Sequence, residues 1–198
     1  MKGELRKTQI LDGAKKLIAR NGYYQTHVED ILREVKIGKG TFYLYFNNKE
    51  DLFIAILERF LEEWERTVLV ALTDAGQKDL RTYFLALITR SLQFFKQNEN
   101  LCNIYLRIGP GISDIFETYI ERFEQKLLKY VTDELKKGVE AALFRKDLDI
   151  EVMANILVGA HLRTAYYYFV VKKGKRGNPS IDRIAEEFFN LIFKGLCS

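Results

Sequence analysis

The chain has few of the residues that interrupt regular structure. Its 198 residues include two prolines, Pro110 and Pro179, so long stretches are open to unbroken helix. It has two cysteines, Cys102 and Cys197, which form neither a disulfide framework nor a metal-spaced cluster. That usage excludes a cystine-stapled secreted module and fits a reducing cytoplasm. The two histidines, His27 and His161, lie far apart in sequence, so no metal site is expected. There is no apolar run long enough to span a bilayer. The opening stretch, MKGELRKTQI, has no apolar signal-peptide core, so a cytoplasmic location is expected. No Ser-His-Asp or Cys-His set and no cofactor loop is present, and no carboxylate pair stands out from the solvated faces. An enzyme is therefore the remote alternative, and no cofactor is expected.

What is present is helical periodicity. Apolar residues recur at three- and four-residue spacing along most of the chain, and no run alternates convincingly as a strand would. The expected fold class is all-α. Helices are expected at about 4–21, from 26 until Gly38 interrupts, and at 39–45, 49–72, 80–97, 101–107, 112–138, 150–172 and 180–196, using the spacing and cap signals of the sequence. Gly22 should stop the first helix, while Gly13 sits inside it at some cost. THVE, from Thr26 to Glu29, reads as a capping box for the second. Asn47 or Asn48 should cap the fourth, and Asp149 and Ser180 the last two. The stretches 73–79 and 107–111 read as connections, and 172–177 as a solvated loop. A boundary is placed at residue 48, giving domains 1–48 and 49–198.

Charge is uneven. The net charge is +4, but residues 1–49 carry +5 and the remainder −1. The excess favours a polyanion as partner of the N-terminal part. Within that part, IGKGTFYLYFNNKEDL (37–52) could be a phosphate loop or a short helix that meets DNA. A phosphate loop needs Ser or Thr after Gly-Lys and an earlier glycine where Arg33 stands; here Gly40 follows Lys39. Two short helices joined by a glycine-containing turn instead match a helix-turn-helix, whose second helix lies in the major groove. At about 100° per residue, Phe42 and Phe46 fall on an inner side, with Gly40 and Leu44 opposite and Thr41 beside them. Tyr43 flanks the inner face and Tyr45 the outer. Gly40 allows close approach, Thr41 suits a base edge or phosphate, and Leu44 suits a thymine methyl. Tyrosine hydroxyls and Lys49 suit phosphates.

These residues resemble the TetR family of bacterial transcriptional regulators. The likeness rests on TFYLYFNNKEDLF (41–53), preceded by THVEDILREVKIGKG (26–40), and covers about the first 55 residues. Two features depart from the family pattern. Leu32 and Val35 stand where alanines are usual, and Lys36-Ile37-Gly38 replaces the usual Gly-Val-Ser turn. The resemblance implies an N-terminal three-helix DNA-binding domain and a C-terminal helical ligand-binding and dimerisation domain. It implies a homodimer on a double-stranded DNA operator, most often a repressor released by a small-molecule effector. An activator or a ligand-independent regulator stays open. On matching positions it implies phosphate contacts from Thr26, Tyr43 and Lys49. It places base or near-base contacts at Lys39, Gly40, Thr41, Leu44 and Tyr45, and backbone contacts at Arg6 and Lys7.

In the larger part, helices near 150–172 and 180–196 look apolar on most sides and call for burial by a partner subunit, with Ala154, Gly159 and Ala160 permitting close approach. A self-contained bundle is the alternative. Candidate ligand contacts are Phe95, Tyr105, Phe116, Tyr119, Phe123, His161, Thr164 and Tyr168, each equally suited to plain core packing. The chain has 14 Phe, 11 Tyr and one Trp, which favours a hydrophobic or aromatic effector.

Overall fold

The computed structural model describes residues 2–69, 80–105, 114–174 and 177–196. The expected connections at 73–79 and 107–111, Ile112 and Cys197 lie outside these residues. Nine α-helices are assigned among the described residues: α1 (Lys2–Asn21), α2 (Val28–Val35), α3 (Lys39–Tyr43), α4 (Lys49–Trp64), α5 (Leu80–Gln97), α6 (Glu99–Asn103), α7 (Asp114–Glu140), α8 (Ile150–Tyr166) and α9 (Ile181–Leu196). π-helical turns, Glu65–Leu69 and Tyr167–Val171, extend α4 and α8. No strand is present among the described residues, and no described helix is long and apolar enough to cross a membrane.

By packing, the chain forms two units. One comprises Met1–Glu63 with Asn100–Ile120; the other comprises Trp64–Glu99 with Glu121–Ser198. In this division by packing, α4 up to Glu63 goes with the first unit. The reason is that α4 carries a buried stripe, with Leu52, Phe53, Ile56, Leu57 and Phe60 all at most 3% exposed, that belongs to the first unit's core.

In the first unit, Ile10, Ala14, Leu17 and Ile18 of α1 are buried, as their spacing requires. Gly22 ends the helix at φ +91°, its N–H donating to the Ile18 carbonyl at 2.8 Å. Gly13 has a packing reason. A Cβ there would lie 2.3 Å from Cγ1 of Val35, so its absence lets α1 and α2 approach. The expected capping box is corrected. His27, not Thr26, is the N-cap of α2, and its N–H donates to Asp30 Oδ2 at 2.9 Å. The Thr26 hydroxyl donates backward to the Gly22 carbonyl at 2.7 Å. Asn48 caps α4, accepting from the Asp51 N–H at 2.8 Å.

In the second unit, Asp149 accepts from the Val152 N–H at 3.1 Å and Ser180 from Arg183 at 3.2 Å, so both expected caps form. Phe144 packs with Leu135, Leu148 and Ala154 in a buried cluster. Its ring lies over Gly138, where a Cβ would meet it at 2.1 Å. Ala154 is fully buried in this core, which corrects its assignment to a subunit interface. Gly159 is exposed with open space around its Cβ direction. α8 keeps an exposed apolar stripe containing Val152 and Ile156, continued by Tyr167 and Val171. α9 is not apolar all round. Ile184, Ala185 and Phe189 are buried, while Asp182, Arg183, Glu187 and Asn190 face solvent beside Leu191.

Candidate functional site

The first candidate site is the outward side of α3. Gly38 caps this five-residue helix in an extended conformation, and Phe42 (0% exposed) and Phe46 (4%) anchor its inner side. The rings of Phe42 and Phe46 sit 5.7 Å apart, a tilted pair that fixes the helix on its scaffold. Opposite them, Leu44 is 81% exposed, Lys39 and Gly40 are exposed, and Thr41 is half-buried. Nothing lies within 4 Å of where a Cβ of Gly40 would be, so backbone or ligand can approach it closely. Arg6 is exposed and Lys7 half-buried on α1.

The two tyrosines exchange the places that a regular helix would give them. Tyr43 is exposed and Tyr45 half-buried. The helix ends at Tyr43, and the Tyr45 N–H reaches back only to the Phe42 carbonyl at 3.0 Å. This tighter turn swings Tyr45 inward, and its hydroxyl lies 3.6 Å from the Cβ position of Gly3.

One expected phosphate contact, Thr26, is corrected, and a second, Lys49, has further partners within the protein. Thr26 is fully buried, and its hydroxyl is engaged by Gly22, which removes it from the solvent-facing set. Lys49 is half-buried. Its ammonium donates to the carbonyls of Tyr23 (2.9 Å) and Thr26 (3.0 Å) and sits 4.1 Å from the centre of the Tyr23 ring. Burial lowers its pKa. The lysine thus ties the 22–27 loop to the start of α4 and positions the reading helix. Two of its three donors are already used.

The second candidate site is a cavity wholly within the second unit. Its volume is about 80 Å³. Its wall draws on Trp64, Val68, α5, α7, α8 and α9 and is almost entirely apolar. The polar groups on it are few. Ser91 and His161 share a hydrogen bond of 2.7 Å between Oγ and Nε2. Desolvation lowers the His161 pKa from 6.5 to about 4, so the imidazole is neutral at physiological pH. Elsewhere on the wall, Tyr130 bonds Tyr83 at 3.1 Å and Tyr83 donates to Glu134 Oε2 at 2.9 Å. Lys137 donates to the other oxygen of Glu134 at 2.8 Å. Burial raises the pKa of Tyr130, and its hydrogen bond to Tyr83 adds to the effect.

Of the eight expected ligand contacts, only His161 lines this cavity. Phe95 and Phe123 pack against its wall, on His161 at 5.9 Å and Trp64 at 5.5 Å between ring centres. Tyr105, Phe116 and Tyr119 belong to the first unit. Tyr105 donates to the Leu57 carbonyl at 2.9 Å, Phe116 packs on Phe53 at 4.6 Å, and Tyr119 reaches Glu58 at 3.5 Å. Tyr168 lines a separate surface pocket with Lys96 and Lys173, and Thr164 is half-buried outside both. Sequence reading missed Trp64, Ser91, Tyr130 and Glu134. Each looks like an ordinary core or surface residue of its own helix until the helices are brought together.

Residues 10–56 match the family model for bacterial regulatory proteins of the tetR family. An uncharacterized HTH-type transcriptional regulator from the lacX 3′ region of Lactococcus lactis subsp. lactis is 32% identical over 160 residues, 81% of this chain and 76% of that protein. The fatty acid metabolism regulator protein of Bacillus subtilis is 29% identical over 152 residues, 70% of this chain and 75% of that protein. The crystal structure of FadR from Bacillus subtilis in complex with stearoyl-CoA superposes with a TM-score of 0.78 at 22% identity. It covers 95% of this chain and 98% of that one, which shows a shared fold.

Proposed function

This chain belongs to the tetR family of bacterial regulatory proteins, ligand-responsive DNA-binding repressors, and on that premise we propose that it is released from a palindromic operator by a hydrophobic effector held in the second unit's cavity. The observation that carries the proposal is the cavity itself, an almost entirely apolar space with a few paired polar groups. A relative named for fatty acid metabolism and a fold neighbour crystallised with stearoyl-CoA support a ligand with a long apolar part.

DNA recognition falls to Lys39, Gly40, Thr41, Tyr43 and Leu44, with Tyr45 at the edge and Lys49 as a positioning residue. Two such helices of one dimer enter successive major grooves. The exposed stripe of α8, with Val152, Ile156, Gly159 and Tyr167, is the face offered to the second subunit. The effector shifts the equilibrium by binding the DNA-competent and released states unequally. A cytoplasmic site of action accords with this reading.

The test is a selection from random duplexes at about 150 mM salt, run in parallel with the Thr41→Ala/Leu44→Ala variant. The expected result is a palindromic consensus that the variant loses, with stearoyl-CoA then releasing the selected DNA. Salt-sensitive binding without a consensus would leave the helix touching phosphates only. A selected operator that no hydrophobic ligand releases would refute the effector reading.

A further inference from the structure

The single tryptophan of the chain, Trp64, lines the cavity and is 1% exposed. Its ring is held edge-on against Phe123, with centres 5.5 Å apart. Its indole N–H is buried and, among the described residues, has no hydrogen-bond acceptor. Leaving a buried donor unpaired is unfavourable, and most such groups in folded proteins find a partner. Trp64 also ends α4 and is followed directly by the π-helical turn Glu65–Leu69, a kind of local irregularity often found at functional sites.

The other polar groups on the wall are already matched. Ser91 and His161 bond each other. Because Tyr83 gives its proton to Glu134, the hydroxyl of Tyr130 donates to Tyr83. Glu134 also accepts from Lys137. Among the described lining residues there is no lysine or arginine, and the one carboxylate is Glu134. A carboxylate or phosphate drawn into this space would lose its water, find no cation on the wall and face a like charge. An uncharged carbonyl would meet none of these penalties and would satisfy the one donor left over.

We propose that the cavity's ligand is a hydrophobic molecule carrying an uncharged hydrogen-bond acceptor, such as an ester, thioester, ketone or amide carbonyl, that takes the Trp64 N–H. Any charged part of the molecule stays outside the cavity. This rests on the reading of the cavity as the effector site and narrows it from hydrophobic to neutral and acceptor-bearing.

The test compares methyl decanoate, decanoate and dodecane on the full-length protein at pH 8. Trp64 emission reports binding directly, and calorimetry supplies affinities. The variants are Trp64→Phe and Trp64→3-benzothienylalanine; the second keeps the ring shape and removes only the N–H. Thermal melting establishes that each variant is folded. The ester should bind about tenfold more tightly than decanoate, and the ester-to-dodecane affinity ratio should fall about tenfold in the benzothienyl variant while dodecane binding is unchanged. An unchanged ratio in that variant, or decanoate binding as tightly as the ester, would overturn the proposal. If all three bind alike and release operator DNA, the effector reading stands and this inference fails. If none binds, both fall together.

Discussion

The proposed DNA-facing surface and the proposed effector cavity use their side chains in opposite ways. On the surface, Lys39, Gly40, Tyr43 and Leu44 come from one short helix and its edge, and the fold makes little use of their outer atoms. The anchoring is left to Phe42, Phe46 and Lys49. In the cavity, the wall is assembled from helices distant in sequence, and the groups that would meet a ligand also hold the unit together. Recognition and stability are therefore separable on the surface and entangled in the cavity. Changes to the surface should alter affinity at nearly constant stability. Changes near the cavity should alter both.

The sharpest way to break that contrast is to add one methyl group to each region. In Gly138→Ala the new Cβ would lie 2.1 Å from two carbons of the Phe144 ring. Phe144 is 3% exposed in a cluster that includes the cavity-lining Leu135, with Phe84 and Ile192 packed against it. The ring has to move, at a cost of about 3 kcal/mol. Gly40→Ala meets nothing within 4 Å and lies inside a helix, so stability should stay within about 0.5 kcal/mol or rise slightly. Its effect should appear as weaker operator binding. Chemical denaturation of both variants measures this, and equal destabilisation would end the contrast.

A second entanglement is electrostatic. His161 is buried beside Ser91, Phe95 and Phe188 and has its pKa lowered to about 4 by desolvation. The unfolded chain, with an ordinary histidine near 6.5, therefore binds more protons than the folded one between about pH 6.5 and 4. Stability is fully present above about pH 6.5 and falls as the pH drops through that window, by about 3 kcal/mol from this group. Denaturation midpoints from pH 7 to 4.5 should show the loss, and His161→Gln should flatten it. A slope that persists unchanged in His161→Gln would assign the effect to other groups.

The same contrast explains what the sequence made legible. The helices, the caps at Asn48, Asp149 and Ser180, and the inward Phe42 and Phe46 follow from periodicity and local chemistry. The reading surface is local, so its residues could be named from consecutive positions. Two local errors arose where the helix departs from ideal geometry. Tyr43 and Tyr45 trade places because α3 stops after five residues, and Thr26 bonds backward to Gly22 instead of forward to Glu29. The cavity is non-local. Nothing in α5 alone marks Ser91 as facing His161, and nothing in α4 alone leaves the Trp64 N–H without an acceptor among the described residues. Only the arrangement of the helices selects these residues from a chain rich in aromatics.

The smallest expected effect tests whether the two regions differ in their backbone as they do in their side chains. Among the described residues, two non-glycine positions adopt left-handed backbone: Lys36 at φ 54° after α2 and Ala142 at φ 57° after α7. Both stand at helix ends where glycine is the usual solution. At Lys36 the turn is held by its own N–H and that of Ile37, which both donate to the Leu32 carbonyl, the latter at 3.1 Å. Relieving the strain with Lys36→Gly or Ala142→Gly should raise stability by about 0.5–1 kcal/mol each, net of the greater freedom of a glycine in the unfolded chain. Lys36→Ala keeps a Cβ in the same backbone well and should bring no such gain, which separates backbone relief from removal of the lysine charge. Equal gains at the two glycine variants would mean that the regions share one turn device and diverge only in their side chains. A gain at Ala142 alone would place a further constraint in the turn that sets the reading helix.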